Sequence, residues 1–411
     1  MSTAVVTASP LSARKPIYNS LFVQVVAGLV LGIILTCAFT RGWVATWSSV
    51  NILSMEPSFI DLRGFPAGLQ VLHQGGDPLI ANPLDPMQRP LNYPRLMLLL
   101  FAALGVTNSN LPVFGVVLCV LYLLCISCMI LQSSSLAEAL LLLISGISFV
   151  PLFAIEQGNT DLLIFSIIFL AAAIRKENIR PILLFVATLL KIYPLVTLIV
   201  DGLQRRSSNR RIPIALAALA LLIFAIRWRE FDAVRHATPA SPILAYGVLS
   251  LKKAIFIISI EHGLSVRAAG TLAFSGLLLC WLTALLAFAL AWRKPSAIDT
   301  SFFRSTHSAW FALFASIYAF SFAVGSNYDY RLIYLIPTLP FALDLARDPG
   351  HSRWGIAYIA ATLLSLNWLN DGYGAGLLLE HGATFLVFLM VLSVLGKQTR
   401  YYLSDPAGAA H

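Results

Sequence analysis

Several short segments of this chain place acidic, basic or aromatic residues directly against long apolar runs. An ionisable side chain at membrane depth costs roughly 2.5 to 3.5 kcal/mol on insertion scales, so function is the first explanation to consider. Asp61 has apolar neighbours on both sides, and partial desolvation would raise its proton affinity, which suits a general base. The alternative is an ordinary loop acid that caps a short helix. Arg63, two residues on, is placed to pair with Asp61 or with a phosphate.

A second acidic segment lies between two apolar runs. Glu156 and Asp161 are separated by a short sequence containing Gly158, which predicts a sharp turn with both carboxylates facing one cavity. Paired carboxylates hold a divalent metal or divide the roles of acid and base. The alternative is that Asn159 or Thr160 caps the next helix and that the acids are solvated.

The candidate cations also sit at breaks in apolar sequence. Lys191 lies inside a hydrophobic run with the helix-breaking Pro194 behind it, which favours a ligand-binding role. Arg331 closes the segment Asn327–Arg331, where it can grip a phosphate while the tyrosines stack on a sugar; an internal pair with Asp329 is the alternative. Arg95 follows Pro94 at a predicted helix start, where either an anion or lipid headgroups can bind it.

Composition excludes a soluble fold. Of the 411 residues, 58% are hydrophobic and only 11% are charged, against about 25% charged in an ordinary soluble domain. The five cysteines all lie in apolar runs, and the seven histidines show no ligand spacing. The net charge of +9 is carried largely in short loops between apolar segments, where basic residues set topology, so nucleic-acid binding is discarded. No soluble-nucleotide, hydrolase or zinc motif occurs.

The apolar runs predict an all-α polytopic membrane protein, a single unit over residues 1–411 with about 10 to 12 transmembrane or re-entrant helices. Residues 20–40 form an uncleaved anchor. The remaining runs cover residues 111–131, 136–155, 161–174, 181–200, 212–226, 270–292, 308–324, 332–346, 354–369 and 381–395. We divide the chain into the following regions: cytoplasmic tail 1–19, long first outer loop 41–110 with interfacial helices, catalytic helices 111–226, outer loop 227–269, C-terminal helices 270–396 and cytoplasmic tail 397–411.

Basic loops decide between two registers. The loops 175–180, 205–211, 293–304, 347–353 and 397–400 are all basic and are expected to be cytoplasmic. This requires that residues 94–106 lie along the outer interface and that residues 181–200 form a re-entrant hairpin or broken helix pair with Lys191 near its tip. In the alternative both segments cross. The first register gathers Asp61, the Glu156–Asp161 turn, Lys191 and the Asn327–Arg331 turn at the outer face.

The order of these motifs resembles the GT-C superfamily of membrane glycosyltransferases, and glycosyltransferase family 87 within it. The resemblance is carried by the Phe59–Leu62 acid, Gly-Asp-Pro at 76 to 78, Asn-Tyr-Pro at 92 to 94, Gln-Gly-Asn-Thr-Asp at 157 to 161, Leu-Lys-Ile-Tyr-Pro at 190 to 194 and Tyr-Asp-Tyr-Arg at 328 to 331. It implies a GT-C-like bundle, a polyprenyl-phosphate sugar donor and an acceptor activated by Asp61. Leu62 follows Asp61 where GT-C relatives commonly have a second acid, so a metal is not favoured and no cofactor is expected.

The resulting hypothesis is inverting transfer of mannose, or of a pentose such as arabinose, to a lipid or glycan acceptor at the outer face of the inner (plasma) membrane. The catalytic candidates are Asp61, Glu156 and Asp161. The donor-phosphate candidates are Lys191, Arg331, Arg63 and Arg95. The candidates for contact with sugar or acceptor are Tyr93, Asn159, Tyr193, Asn327, Tyr328, Asp329 and Tyr330. The rival hypotheses are a transporter or lipid flippase, for which Lys191 and Glu156 would be translocation charges, and a family member without catalysis.

The topology is testable by cysteine accessibility in intact cells. Single cysteines at Asp61, Gln157 and Tyr328 should react with an impermeant reagent, because these positions face outward in the preferred register. Cysteines at Arg211 and His411 should react only after permeabilisation. Protection of position 61 in intact cells would reject this orientation.

Overall fold

The computed structural model describes residues 17–174, 176, 178–205, 209–238, 241–293, 300–367 and 375–404. Its N-terminal part contains four helices: α1 (Ile17–Arg41), α2 (Trp43–Ser49), α3 (Ile60–His73) and α4 (Arg95–Ala103). The first apolar run of the sequence coincides with α1. The predicted interfacial segment 94–106 forms only the short α4, which at ~1.5 Å per residue cannot cross a bilayer core of ~30 Å.

The middle of the chain is a series of apolar helices. These are α5 (Leu111–Gln132), α6 (Leu136–Gly146), α7 (Phe149–Gln157), α8 (Asp161–Ala173), α9 (Ile179–Leu190), α10 (Leu195–Gln204), α11 (Arg211–Ile226) and α12 (Trp228–Ala237). The run 136–155, expected as one span, is bent by 43° between α6 and α7. Lys191–Pro194 separates α9 from α10, as the proline predicts.

The C-terminal part surrounds a long buried 3₁₀ helix. Its elements are β1 (Ala245–Tyr246), α13 (Val248–Glu261), α14 (Val266–Arg293), α15 (Thr300–Phe303), α16 (Thr306–Val324), β2 (Asn327–Tyr328), the 3₁₀ helix (Asp329–Thr338), α17 (Leu339–Arg347), α18 (Ser352–Leu366) and α19 (Ala375–Ser404). The apolar run 332–346 is divided between a 3₁₀ helix and α17. Pro337 lies inside the 3₁₀ helix, and Pro340 lies in the first turn of α17, where a proline is tolerated because no backbone donor is needed.

Four of the described helices are long and apolar enough to cross a membrane: α5, α14, α16 and α19. The bent pairs α6–α7 and α11–α12 raise the number to six if each pair is one span. The structure is therefore that of an all-α membrane protein, with shorter apolar helices, α8, α9 and α10 among them, between the long ones.

The helices α9 and α10 form a hairpin. Arg180 at the start of α9 pairs with Asp201 near the end of α10 at 2.8 Å, so the two helix ends lie side by side and Lys191 lies at the tip. Arg205 binds the second oxygen of Asp201, also at 2.8 Å. This is the hairpin that the basic-loop pattern predicts for residues 181–200.

The predicted cytoplasmic loops meet at the end of the helix bundle that carries the Arg180–Asp201 pair. Arg210 donates to the Tyr402 carbonyl at 3.0 Å, and Arg304 donates to the Tyr401 hydroxyl at the same distance. Arg400 donates to the Arg293 carbonyl at 3.1 Å. The described residues of four basic loops, among them Arg180, Arg205, Arg210, Arg293, Arg304 and Arg400, therefore lie at one end of the molecule.

The start of α3 is fixed by the ring of Phe59. Phe59 is fully buried, has a φ of 56°, and packs edge-on against Trp43 with ring centroids 4.7 Å apart. A Cβ atom at Gly115 of α5 would lie 2.5 Å from the Phe59 ring, so only glycine allows this approach. Asp61 is placed by the same contact because it lies in the first turn of α3.

Gly115→Ala should therefore lower the thermal midpoint of the purified protein, since overpacking a tight contact costs about 1 to 3 kcal/mol. Gly270→Ala in α14 is the matched control, because a Cβ there meets nothing within 4 Å. Equal midpoints for the two variants would show that the Phe59 ring adapts freely.

Candidate functional site

Asp61 lies in a polar setting, although the sequence predicted apolar neighbours. Arg89 Nη1 donates to Asp61 Oδ1 at 3.0 Å, and Asn159 Nδ2 donates to Asp61 Oδ2 at 2.7 Å. The carboxylate is in the first turn of α3, where the helix dipole favours negative charge. Both contacts fix its orientation, and the Asn159 contact joins the first outer loop to the second acidic turn.

The cation beside Asp61 is Arg89 and not Arg63. Side chains two positions apart on a helix point ~200° apart, so Arg63 projects away from Asp61 and its Nε donates to the Ser58 carbonyl at 3.0 Å. Arg89 was missed because its segment was interpreted only as turns. The available signal was Asp85 four residues earlier, which accepts from the backbone and the guanidinium of Arg89 at 3.1 and 3.2 Å.

The electrostatics of Arg89 follow from its two acidic neighbours. Burial lowers the pKa of its guanidinium, but Asp61 and Asp85 outweigh burial and raise that pKa above its usual value. Arg89 is therefore a permanent cation. Burial, followed by the charge of Asp61, raises the pKa of the hydroxyl groups of Tyr93 and Tyr328. Both phenols therefore stay protonated and can donate a hydrogen bond at neutral pH.

A cavity of about 320 Å³ opens beside Asp61. Its polar and aromatic lining comprises Asp61, Asn82, Asp85, Arg89, Asn92, Tyr93, Phe153, Gln157, His236, Tyr328 and Tyr330. Three of the predicted sugar-contact residues, Tyr93, Tyr328 and Tyr330, thus share one space with Asp61. The size is at the lower end of the range for small-molecule sites. His236, which showed no ligand spacing in the sequence, is a further lining residue that sequence reasoning missed.

A buried ion cluster lies beside Tyr93. Asp161 Oδ1 pairs with Lys191 Nζ at 2.9 Å, and Asp161 Oδ2 lies 3.4 Å from Arg331 Nε. Lys191 Nζ is also 4.9 Å from the centre of the Tyr93 ring. The cluster carries two cations for one anion, which leaves a positive charge next to the cavity wall.

Two tyrosines complete this cluster. The Tyr193 hydroxyl bonds to Asp161 and lies 2.8 Å from the Tyr334 hydroxyl. The guanidinium of Arg331 lies 5.0 Å from the centre of the Tyr193 ring. Arg331 also binds Asn327, so the Asp329–Arg331 pair offered as an alternative does not form. Neither Lys191, Tyr193, Asn327 nor Arg331 lines the cavity itself.

The two acids of the second turn do not face one cavity as expected. Gly158 adopts a φ of 62° between them and sends their side chains to different partners. Glu156 accepts from Trp43 Nε1 at 2.8 Å and from Ser54 Oγ at 2.7 Å. Glu156 therefore anchors α2 and the chain after it. Asn159 does cap the following turn, since its Oδ1 accepts from the Asp161 amide at 2.8 Å.

The remaining predicted residues are occupied elsewhere. Arg95 pairs with Asp77 at 2.6 Å, and its amide donates to Glu230 at 2.7 Å, so the helix start binds an internal carboxylate. Asp329 is buried beside Glu380, outside the cavity. Among the described residues, no three His, Cys, Asp or Glu side chains lie close enough to hold a metal ion together.

No family model matches the chain, and neither does any curated protein or solved structure.

Asp161→Asn should destabilise the protein strongly. Removing one partner of a buried charge pair costs about 3 to 5 kcal/mol, because Lys191 and Arg331 would remain buried without their counter-ion. Asp77→Asn is the control, since its pair with Arg95 is partly exposed and worth about 1 kcal/mol or less. The measurement is denaturant unfolding in detergent. Equal losses for the two variants would contradict the assigned role of Asp161.

Proposed function

We propose that this protein is a membrane glycosyltransferase of the GT-C type, as its resemblance to family 87 implies. It transfers a sugar, mannose or a pentose, from a polyprenyl-phosphate donor to a hydroxyl of a lipid or glycan acceptor. The observation that carries the proposal is the cavity in which the oriented carboxylate of Asp61 faces three tyrosines. The finer parts of the proposal are an inner-membrane location, an outward-facing site and a GT-C bundle of 10 to 12 crossings or half-crossings.

Asp61 serves as the general base in this mechanism. Its carboxylate takes the proton from the acceptor hydroxyl while that oxygen attacks the anomeric carbon from the face opposite the phosphate. The new glycosidic bond forms as the bond from the anomeric carbon to the phosphate oxygen breaks, and the lipid phosphate leaves with the electron pair. Each oxygen of Asp61 accepts one hydrogen bond from the protein, which leaves a lone pair for the incoming proton.

The leaving phosphate needs positive charge, because electrostatic stabilisation is usually the largest catalytic contribution. Arg89 lines the cavity and is the direct candidate. Lys191 and Arg331 contribute the excess positive charge of the buried cluster behind Tyr93. Arg63 and Arg95 are not assigned to the donor, because neither lines the cavity and neither belongs to the buried cluster.

The walls of the cavity suit a sugar on a lipid carrier. Tyr93, Tyr328 and Tyr330 offer aromatic faces, and the rings of the last two are stacked with centroids 5.5 Å apart. Leu53 and Met87 also line the cavity and are 45% and 44% exposed. An apolar opening of this kind allows a polyprenyl chain to remain in the bilayer while its phosphate enters.

A transporter or flippase is the second candidate. It is favoured by the α9–α10 hairpin, whose tip carries a buried Lys191–Asp161 pair that would serve as a gate or a translocation charge. The two hypotheses differ at Asp61: a glycosyltransferase requires it as a general base, whereas a transporter requires no catalytic residue at this position.

Asp61→Asn should reduce turnover by about 100-fold to 10,000-fold, since it keeps the shape of the side chain but removes the proton acceptor. Donor binding should stay nearly unchanged. The assay is transfer of labelled sugar from polyprenyl phosphate by purified protein in nanodiscs. Asp77→Asn, in the same outer loop but away from the cavity, should retain normal turnover.

Two outcomes would overturn parts of this proposal. Near-normal turnover in Asp61→Asn would reject a general base in this cavity, because neither Glu156 nor Asp161 lines it. Normal turnover after substitution of each of the three acids in turn would make the transporter the better description.

A further inference from the structure

A second cavity lies at the other end of the molecule. Its volume is about 510 Å³, and its lining includes His351, Ser352, Arg353, Trp354 and Lys397. The helix α19 connects the two ends of the molecule. At one end its His381 contacts the Pro242 carbonyl, shortly before β1, which pairs with β2 near the first cavity. Lys397 lies four to five helical turns further along α19, or ~24 Å away at ~1.5 Å per residue. The second cavity therefore shares its end of the bundle with the basic loops.

The charges of this cavity are not neutralised by the protein. Among the described residues, neither Arg353 nor Lys397 forms an ion pair. The nearby acids already have partners: Asp348 binds His351 Nδ1 at 2.5 Å, and Asp344 binds His307 Nδ1 at 2.7 Å. Two cations, the exposed Arg353 on α18 and the half-buried Lys397 on α19, thus line the same cavity, and neither has a carboxylate partner among the described residues.

The cavity also has donors suited to an anion. It contains the start of α18, a helix of 15 residues, whose first amides have no carbonyl partner within the helix. The Ser352 hydroxyl and the fork of Arg353 are at the same helix start. A phosphate group has enough oxygens to accept hydrogen bonds from a guanidinium, an ammonium and helix amides at the same time. A carboxylate has only two oxygens and satisfies such a set of donors less well.

Tight packing holds the start of α18 in place. A Cβ atom at Gly355 would lie 2.3 Å from the Ala346 amide nitrogen, so α18 approaches α17 backbone to backbone. The indole of Trp354 is stacked on Tyr358 with ring centroids 5.2 Å apart. The donors of the cavity are therefore carried on a rigid wall. Ile356 is 60% exposed and lies three positions after Arg353, on the same face of α18, so this face also carries apolar surface.

We propose that this cavity binds the phosphate group of an anionic ligand through Arg353, Lys397 and the start of α18. The volume leaves room for the group that carries the phosphate. The same chemistry fits the headgroup of an anionic phospholipid and a free phosphate compound. Solvated basic residues that only set topology are the competing explanation, and they require no cavity.

The test uses the full chain in nanodiscs and does not involve sugar transfer, so its result is independent of the proposed function. In phosphatidylcholine nanodiscs, inorganic phosphate and pyrophosphate are titrated by calorimetry. In nanodiscs of equal parts phosphatidylcholine and phosphatidylglycerol, retained lipid is measured by native mass spectrometry. Arg353→Gln and Lys397→Gln are compared with Arg211→Gln, an exposed arginine at the same end of the bundle.

Each result is decisive. If titrated phosphate binds the wild type and each cavity variant weakens that binding by about tenfold or more, while Arg211→Gln does not, the ligand is a free phosphate compound. If phosphatidylglycerol is retained and is lost only from the cavity variants, the ligand is a lipid headgroup. The proposal is overturned if neither probe binds, or if Arg211→Gln lowers binding as much as the cavity variants do.

Discussion

The buried carboxylate of Asp161 is the constraint on which the site depends. Removing an ion from water costs several kcal/mol, so Asp161 must find cations from other parts of the chain. Lys191 comes from the tip of the α9–α10 hairpin and Arg331 from the 3₁₀ helix. The anion therefore draws together three segments that are distant in sequence. The tyrosines that these segments and their neighbours carry then form the wall next to Asp61.

Much of this convergence follows from the sequence because unpaired charges are not tolerated inside apolar runs. Acids and bases at four breaks in hydrophobic sequence were expected to come together. Asp161, Lys191 and Arg331 do form one cluster, and Asp61 is joined to the Asp161 turn through Asn159. The basic loops were expected at one end, and the described residues of all five meet there: Arg304 contacts Tyr401, and Arg353 shares a cavity with Lys397.

Individual partners were less predictable because they depend on helix phase and backbone turns. Asp61 and Arg63 are close in sequence but point in different directions once α3 starts at Ile60. The left-handed conformation of Gly158 separates Glu156 from Asp161. The number of spans is hard to predict for a related reason: apolar runs do not show where a helix bends, as between α6 and α7, or where it tightens into a 3₁₀ helix.

The ion pair of Arg180 with Asp201 at the base of the α9–α10 hairpin limits how far the hairpin can reach across a membrane. Because Arg180 is held against Asp201, α9 can reach only ~18 Å from the basic end of the bundle, compared with ~30 Å of hydrocarbon. Ile182 and Val186 on its outer surface are exposed and apolar. Lipid beside the hairpin must therefore thin or tilt to match it, and thicker membranes would impose hydrophobic mismatch at this point. A change in bilayer thickness at the hairpin would therefore bear on the position of Lys191, and on Asp161 as well, because the two are paired at 2.9 Å.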